Sequence, residues 1–274
     1  MIYVLTGVTT RIISNSYLNV FQKVLTNDGN PPSVVNFYTY LGLSILSFCL
    51  FPFFSINIST LLLINFFVMG ILGALGNYYI IKALSLGELS SLAPINSYKP
   101  IVAMIIGFIY LNEIPSLSAV CGIGLIIIGT YILYAGGISN KKAVFYRVLA
   151  LIFSGSEAIF IKKIILLTNI PTSFALWAIS GLIFSALFLI SSKHNLKLPS
   201  VKYLGLLILS VAIMQYSTNY VFSKINVSYA LALFQLSTLL SVFLGVNIFK
   251  EKGLKRKLIA SVVMITGAVT IILI

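Results

Sequence analysis

Three ionisable side chains, Arg11, Lys99 and Glu157, fall inside long apolar runs of this 274-residue sequence. Charge at membrane depth is costly and normally faces a partner or a cavity, so these three are the first candidates for chemistry. Arg11, Asn15 and Asn19 recur at i, i+4 and i+8 and form one polar stripe on a helix. Asn96 and Lys99 share a face at i, i+3, and Glu157 has Ser154 and Ser156 beside it. Asn77, Gln215, Tyr216, Asn219 and Gln235 complete the candidate substrate-binding set. A carboxylate or phosphate would meet Lys99 and Arg11, and Glu157 would accept an amine or a coupling proton. An amino-acid-like zwitterion satisfies all three charges; an anion with proton coupling is the alternative. The formal charge of the three is +1.

Plainer roles compete with these. Membrane helices use Asn, Gln and Ser as interhelical glue, each worth ~0.6 kcal/mol on average. Lys99 pairing with Glu157 only to hold the fourth and sixth helices together is the lesser alternative. Lys162, Lys163 and Lys224 read as anchors whose stems snorkel to the interface.

The elements that position these residues follow from composition. The chain is 59% hydrophobic and only 8% charged, against roughly 25% charged in soluble domains, and its mean hydropathy is +1.07. Lipid must be its main solvent, and in lipid only helices or closed barrels satisfy the backbone. The unbroken apolar runs are of helical length, not the alternating segments of a barrel. The expected fold class is all-α integral membrane, with ten transmembrane helices at 2–24, 34–54, 61–82, 89–111, 116–136, 143–164, 171–190, 203–224, 227–249 and 254–274. Short turn-rich connections such as Asn27 to Pro32 and Gly87-Glu88 join them. The first run lacks a basic start and is interrupted by Arg11, so it reads as a permanent helix and not a signal peptide. Cys49 and Cys121 read as small buried hydrophobes.

The chain repeats itself. A shift of 138 residues superimposes Tyr78 on Tyr216, Gly107 on Gly245, Glu113 on Glu251 and Gly129 on Gly267. A shift of 139 pairs Phe21 with Phe160 and Lys23 with Lys162. Two five-helix halves, 1–138 and 139–274, result. Five is odd, so the second half must enter the membrane from the opposite side, which makes the halves inverted repeats. The shift sets Phe234, Gln235 and Ser237 against Asn96, Ser97 and Lys99, so the halves are expected to repeat their packing residues but not their buried charges.

Pro94 and Pro100 bracket Asn96 and Lys99 and predict a kinked fourth helix with freed carbonyls beside Lys99. Gly70, Gly73 and Gly76 predict close helix approach. Tyr98, Tyr110, Tyr131 and Tyr134 are belt or cavity residues.

The net charge of +13 fits basic loops beside anionic lipid and shows no pattern of nucleic-acid recognition. Loops 1–2, 3–4, 5–6, 7–8 and 9–10 carry 1, 1, 3, 3 and 5 Lys/Arg, against 3 on the opposite side, which places both termini outside. An enzyme is disfavoured: the single histidine, His194, lies in a loop, no Asp lies in a span, and zinc and phosphate-loop motifs are lacking. A channel or structural protein fits an internally duplicated, charge-asymmetric chain less well than a carrier. No cofactor is called for; the expected partners are a small-molecule substrate and the lipid bilayer.

The stretch Ala83 to Ser90, Pro94-Ile95, Leu111-Asn112-Glu113 and Gly122 to Gly129, echoed by Phe249-Lys250-Glu251 and Gly267, resembles the drug/metabolite transporter superfamily, its EamA-type branch in particular. The resemblance covers essentially the whole chain. It implies a ten-helix bundle of two inverted repeats, a central cavity, alternating access and substrates ranging from amino acids and nucleotide-linked metabolites to amines and drugs. Export of drugs or amines is thus an alternative to carriage of a polar metabolite, and the expected location is a prokaryotic cytoplasmic membrane. Members usually have cytoplasmic termini, opposite to the Lys/Arg count.

Overall fold

The computed structural model describes residues 2–99, 101–102, 105–106, 117–134, 140–192, 197–225 and 227–270. Pro100, Gly107, Tyr110, Glu113 and His194 lie outside the described residues. The described segments are helices and connections, with no strand among them.

Helix α1 spans Ile2–Asn27 and α2 spans Pro32–Ser47, continued by a 3-10 stretch, Phe48–Phe53. Pro32 opens α2 where a missing N–H costs nothing. Helix α3, Thr60–Leu86, is capped by Ser59, whose side chain accepts from Leu62 N at 3.2 Å. Short α4, Leu89–Leu92, runs into a 3-10 stretch, Ala93–Tyr98, and α5 spans Leu117–Tyr134. The second half begins with α6, Lys141–Leu167, capped by Asn140 Oδ1 on the amides of Lys142 and Ala143. Then follow α7, Ile170–Ser192; α8, Val201–Lys224; α9, Val227–Leu233; a 3-10 stretch, Phe234–Leu236; α10, Ser237–Phe249; and α11, Leu254–Thr270. Lys250 and Gly253, both at positive φ, turn the chain between α10 and α11.

Six helical stretches among the described residues are long and apolar enough to cross a membrane: 32–53, 60–86, 141–167, 170–192, 201–224 and 230–249. The bundle exposes large apolar side chains and buries many polar ones beside its apolar core. Leu5, Phe51, Ile64, Ile190 and Val201 are exposed, while Asn15, Gln22, Asn36, Gln215 and Asn219 are buried. That distribution satisfies lipid outside and hydrogen bonding within.

Two helices are broken within the spans read in the sequence, one as predicted and one not. The fourth is broken early, with the 3-10 stretch beginning at Ala93 beside Pro94, as the proline demands. The ninth, expected as one helix over 227–249, is broken at Phe234–Leu236 without any proline. This break falls within the 138-residue image of the first one. Both cysteines are exposed on the outer surface, correcting their reading as buried hydrophobes.

The helices pack as α1 with α8, α3 with α6 and α7, α2 with α7, and α5 with α11. Glycines make the closest approaches. A methyl on Gly70 would strike Ser180 of α7, and one on Gly76 would press on Ser154 of α6. A methyl on Gly267 would strike the backbone of Gly122, which cannot yield as a flexible side chain can.

Candidate functional site

A cavity of about 100 Å³ lies at the centre of the bundle, away from the helix ends. Of the residues singled out in the sequence, Arg11, Asn15, Asn19, Asn77, Asn96, Lys99, Glu157 and Gln215 line it. They come from α1, α3, the segment after α4, α6 and α8, so both halves contribute.

The polar stripe of α1 meets the break in the ninth helix. Arg11 Nη1 donates to Phe234 O and Ser237 Oγ, each at 3.4 Å, and its guanidinium lies 4.3 Å from the centre of the Phe234 ring. Asn15 Nδ2 donates to the same Ser237 Oγ at 3.1 Å, and Ser16 Oγ to Ser237 O at 3.0 Å. Tightening of the helix at Phe234 leaves its carbonyl available, and Ser237 Oγ also bonds it at 2.7 Å. Asn19 turns its amide back to Asn15 O.

Amides tie the next layer. Gln22 Nε2 donates to Asn77 Oδ1 at 2.9 Å, and Asn77 Nδ2 donates to Asn36 Oδ1 at 2.6 Å, joining α1, α3 and α2. Glu157 Oε1 accepts from Trp177 Nε1 at 2.6 Å. Gly73 leaves room for that carboxylate, since a methyl there would fall on Glu157 Oε1. The Tyr40 ring packs 5.2 Å from Trp177. Lys99 and Glu157 do not form an ion pair; the two ion pairs among the described residues lie elsewhere.

Three of the residues singled out stand apart from the cavity lining. Asn219 is buried behind Gln215, accepting from its Nε2 at 2.8 Å and donating to Ser173. Gln235 is buried and bonds Leu231 O of its own helix. Tyr216, one residue from Gln215 and so turned about 100° around the helix, lies on the outer face against Phe174. Among the tyrosines, Tyr98 Oη and Thr130 Oγ1 bond at 2.7 Å, Tyr134 donates to Ser91 O, and Tyr131 is exposed. Lys162, read as an anchor, donates to Phe222 O and Ile225 O at the end of α8.

Sequence reasoning missed two important lining residues. Arg147 was counted among loop charges, yet it is 3% exposed inside α6 and its Nε donates to Leu92 O at 3.2 Å. Its spacing from Ser154 and Glu157, at i, i+7 and i+10, was the available signal. Arg147 raises the formal charge of the lining from +1 to +2. It gives Arg11 a counterpart in the other half, whereas Lys99 and Glu157 fall on Ser237 and Asn19 and stay unrepeated. One arginine from the first helix of each half reaches a carbonyl at the broken helix of the other half. Trp177 carried no signal beyond the need of a buried indole N–H for an acceptor.

At one end of the bundle a second polar cluster closes the gap between halves. Glu251 accepts from Leu89 N and Ser90 N, each at 2.8 Å, capping α4 from a different part of the chain, and also accepts from Ser90 Oγ. Lys23 Nζ sits 3.0 Å from Glu251 Oε1 and donates to Gly87 O at 2.6 Å. Lys257 Nζ donates to Glu88 Oε2 at 2.5 Å and to Ser90 Oγ at 2.6 Å. Partial burial pushes the Glu88 carboxyl up, but hydrogen bonds from Lys257 and Ser91, with the charges of Lys257 and Lys23, hold it below its ordinary value.

A profile of the EamA-like transporter family matches the chain twice, over residues 2–135 and 141–273. One crystal structure superposes with a TM-score of 0.69 at 15% identity, over 99% of this chain and 96% of the other, a likeness of fold. No curated protein matches significantly. The apolar helices and the family profile together make this an integral, multi-pass membrane protein of a transporter family. With both halves matched, the chain belongs to the EamA-like transporter family.

Proposed function

We propose that the chain is a secondary transporter that moves a small polar metabolite, zwitterionic or anionic, by alternating access. Its ten transmembrane helices form two inverted five-helix repeats, residues 1–138 and 139–274, in a prokaryotic cytoplasmic membrane. The observation that carries this reading is the central cavity, lined by Arg11, Lys99, Arg147 and Glu157 from both halves. Buried charge at that depth is retained where it meets a ligand or a pathway.

The helix packing supports the inverted repeat. Exchanging the halves turns the pair α1 and α8 into α6 and α3, and maps α2 with α7 and α5 with α11 onto themselves. The carbonyl contacts of Lys23 and Lys162 exchange in the same way, since Gly87 and Ile225 are 138 residues apart.

Counterflow in proteoliposomes tests the function. The expected result is saturable exchange of a metabolite hit from a thermal-shift screen, reduced at least about tenfold (~1.4 kcal/mol) by Lys99→Ala and by Glu157→Ala. Unsaturable flux would indicate a channel, and unchanged exchange in both variants would remove the cavity as the site.

A further inference from the structure

The cavity has an excess of cations that no ion pair among the described residues neutralises. Arg11, Lys99 and Arg147 line it, and Glu157 is the only carboxylate among its described lining residues. Both ion pairs among the described residues, Lys23 with Glu251 and Lys257 with Glu88, belong to the end cluster and involve none of these cations. Arg11 is 8% exposed, its Nε is buried without an acceptor, and its two Nη1 contacts are long. Arg147 spends its Nε on a backbone carbonyl. Glu157 already accepts from Trp177.

Resting on the reading of this cavity as a substrate site, we propose that its ligand is a compact dianion, a dicarboxylate or a phosphate monoester. A dianion brings the formal charge of the occupied site to zero. A zwitterion leaves two uncompensated positive charges there, and a diamine adds two more. Uncompensated charge in a low-dielectric interior is strongly unfavourable. Guanidinium forks also match carboxylate and phosphate oxygens with paired N–H donors, which single out acidic groups over neutral ones. The cavity of about 100 Å³ has space for several waters, at about 10–15 Å³ each, and so for a ligand of a few carbon atoms. In this arrangement Glu157 does not receive a ligand amine. It sets an upper limit on ligand charge and holds Trp177.

Trp177 is the only tryptophan of the chain and lines the cavity, so its emission reports occupancy. Purified protein in nanodiscs would be titrated with succinate, glycerol 3-phosphate, serine and putrescine. The expected result is a saturable change with succinate or glycerol 3-phosphate, the stronger response identifying carboxylate or phosphate as the preferred acid. Arg11→Gln should weaken that binding by on the order of tenfold, with partial recovery in Arg11→Lys. Glu157→Gln, which keeps size and hydrogen bonding, should tighten dianion binding by a similar factor. Under a zwitterion or amine reading the same substitution weakens binding, so the direction alone decides.

Saturable binding of serine or putrescine without either dianion would overturn the dianion and leave the transporter reading intact. So would weaker dianion binding in Glu157→Gln. No response to any probe, together with absence of counterflow, would remove both.

Discussion

Arg147 shows how one residue's role depends on where its helix begins. Placed in a loop it is an ordinary basic residue beside lipid head groups. Two turns inside α6 it is a buried cation at a cavity, bonded to Leu92 O. Trp177 has a comparable dependence, because its indole is simply apolar until Glu157 accepts from it at 2.6 Å. Trp177→Phe removes that donor and leaves a buried carboxylate oxygen without its partner. The variant is expected to lose about 1–3 kcal/mol of stability, read as a lower unfolding temperature of the purified protein. An unchanged temperature would show that the bond is dispensable.

At the scale of elements, the two broken helices are the main positioning device. Each break releases a carbonyl that an arginine from the other half takes up: Phe234 O by Arg11 and Leu92 O by Arg147. The amino end of α4 is held from outside by Glu251, which Lys23 in turn neutralises. Charge-assisted contacts of this kind are the strong members of the hydrogen-bond class. Next to them, Glu88 gives the cluster a pH dependence. Its carboxyl is held below the ordinary value in the folded protein, so its contribution is complete above the ordinary carboxylate pKa and is lost as pH falls through the lower, folded one. Glu88→Gln is therefore expected to destabilise the protein at neutral pH. The difference from the unsubstituted chain should vanish in acid, as thermal unfolding across a pH series would show. A constant difference across that series would assign the contribution to hydrogen bonding and not to charge.

At the scale of the whole molecule, the exchange of packing partners between halves has a consequence for topology. In the proposed ten-helix arrangement three spans separate the end of α6 from the loop between α10 and α11, which places the two on opposite sides of the membrane. Lys163, in the last two turns of α6, and Lys252, in the α10–α11 loop, are exposed there. In a chain with Cys49 and Cys121 replaced by Ala, Lys163→Cys and Lys252→Cys should react with an impermeant maleimide from opposite faces of sealed vesicles. Labelling of both from one face would overturn the proposed succession of three spans between them, and with it the ten-helix count. The face that labels Lys252→Cys also decides between the Lys/Arg count, which places it inside, and the family habit, which places it outside.

Hydropathy alone determined that this is a helical membrane protein, because apolar runs of spanning length have no other stable solution in lipid. Fixed spacing of Tyr, Gly and Glu was enough to read the duplication, and the α1 stripe of Arg11, Asn15 and Asn19 was legible because helical periodicity places those residues together whatever the fold. The proline-bearing break was legible too, since Pro94 cannot donate to the helix ladder. Its counterpart at Phe234 was not, because it has no local chemical mark and arises where α1 packs its arginine and asparagine against Ser237. Tertiary structure also decided which polar residues face the cavity. Gln215, Tyr216 and Asn219 lie within two turns of one helix, yet one lines the cavity, one faces outward and one is buried between helices. That outcome depends on how α8 is rotated against α1 and α7, and rotation is set by packing across the whole bundle, which no single stretch of sequence contains.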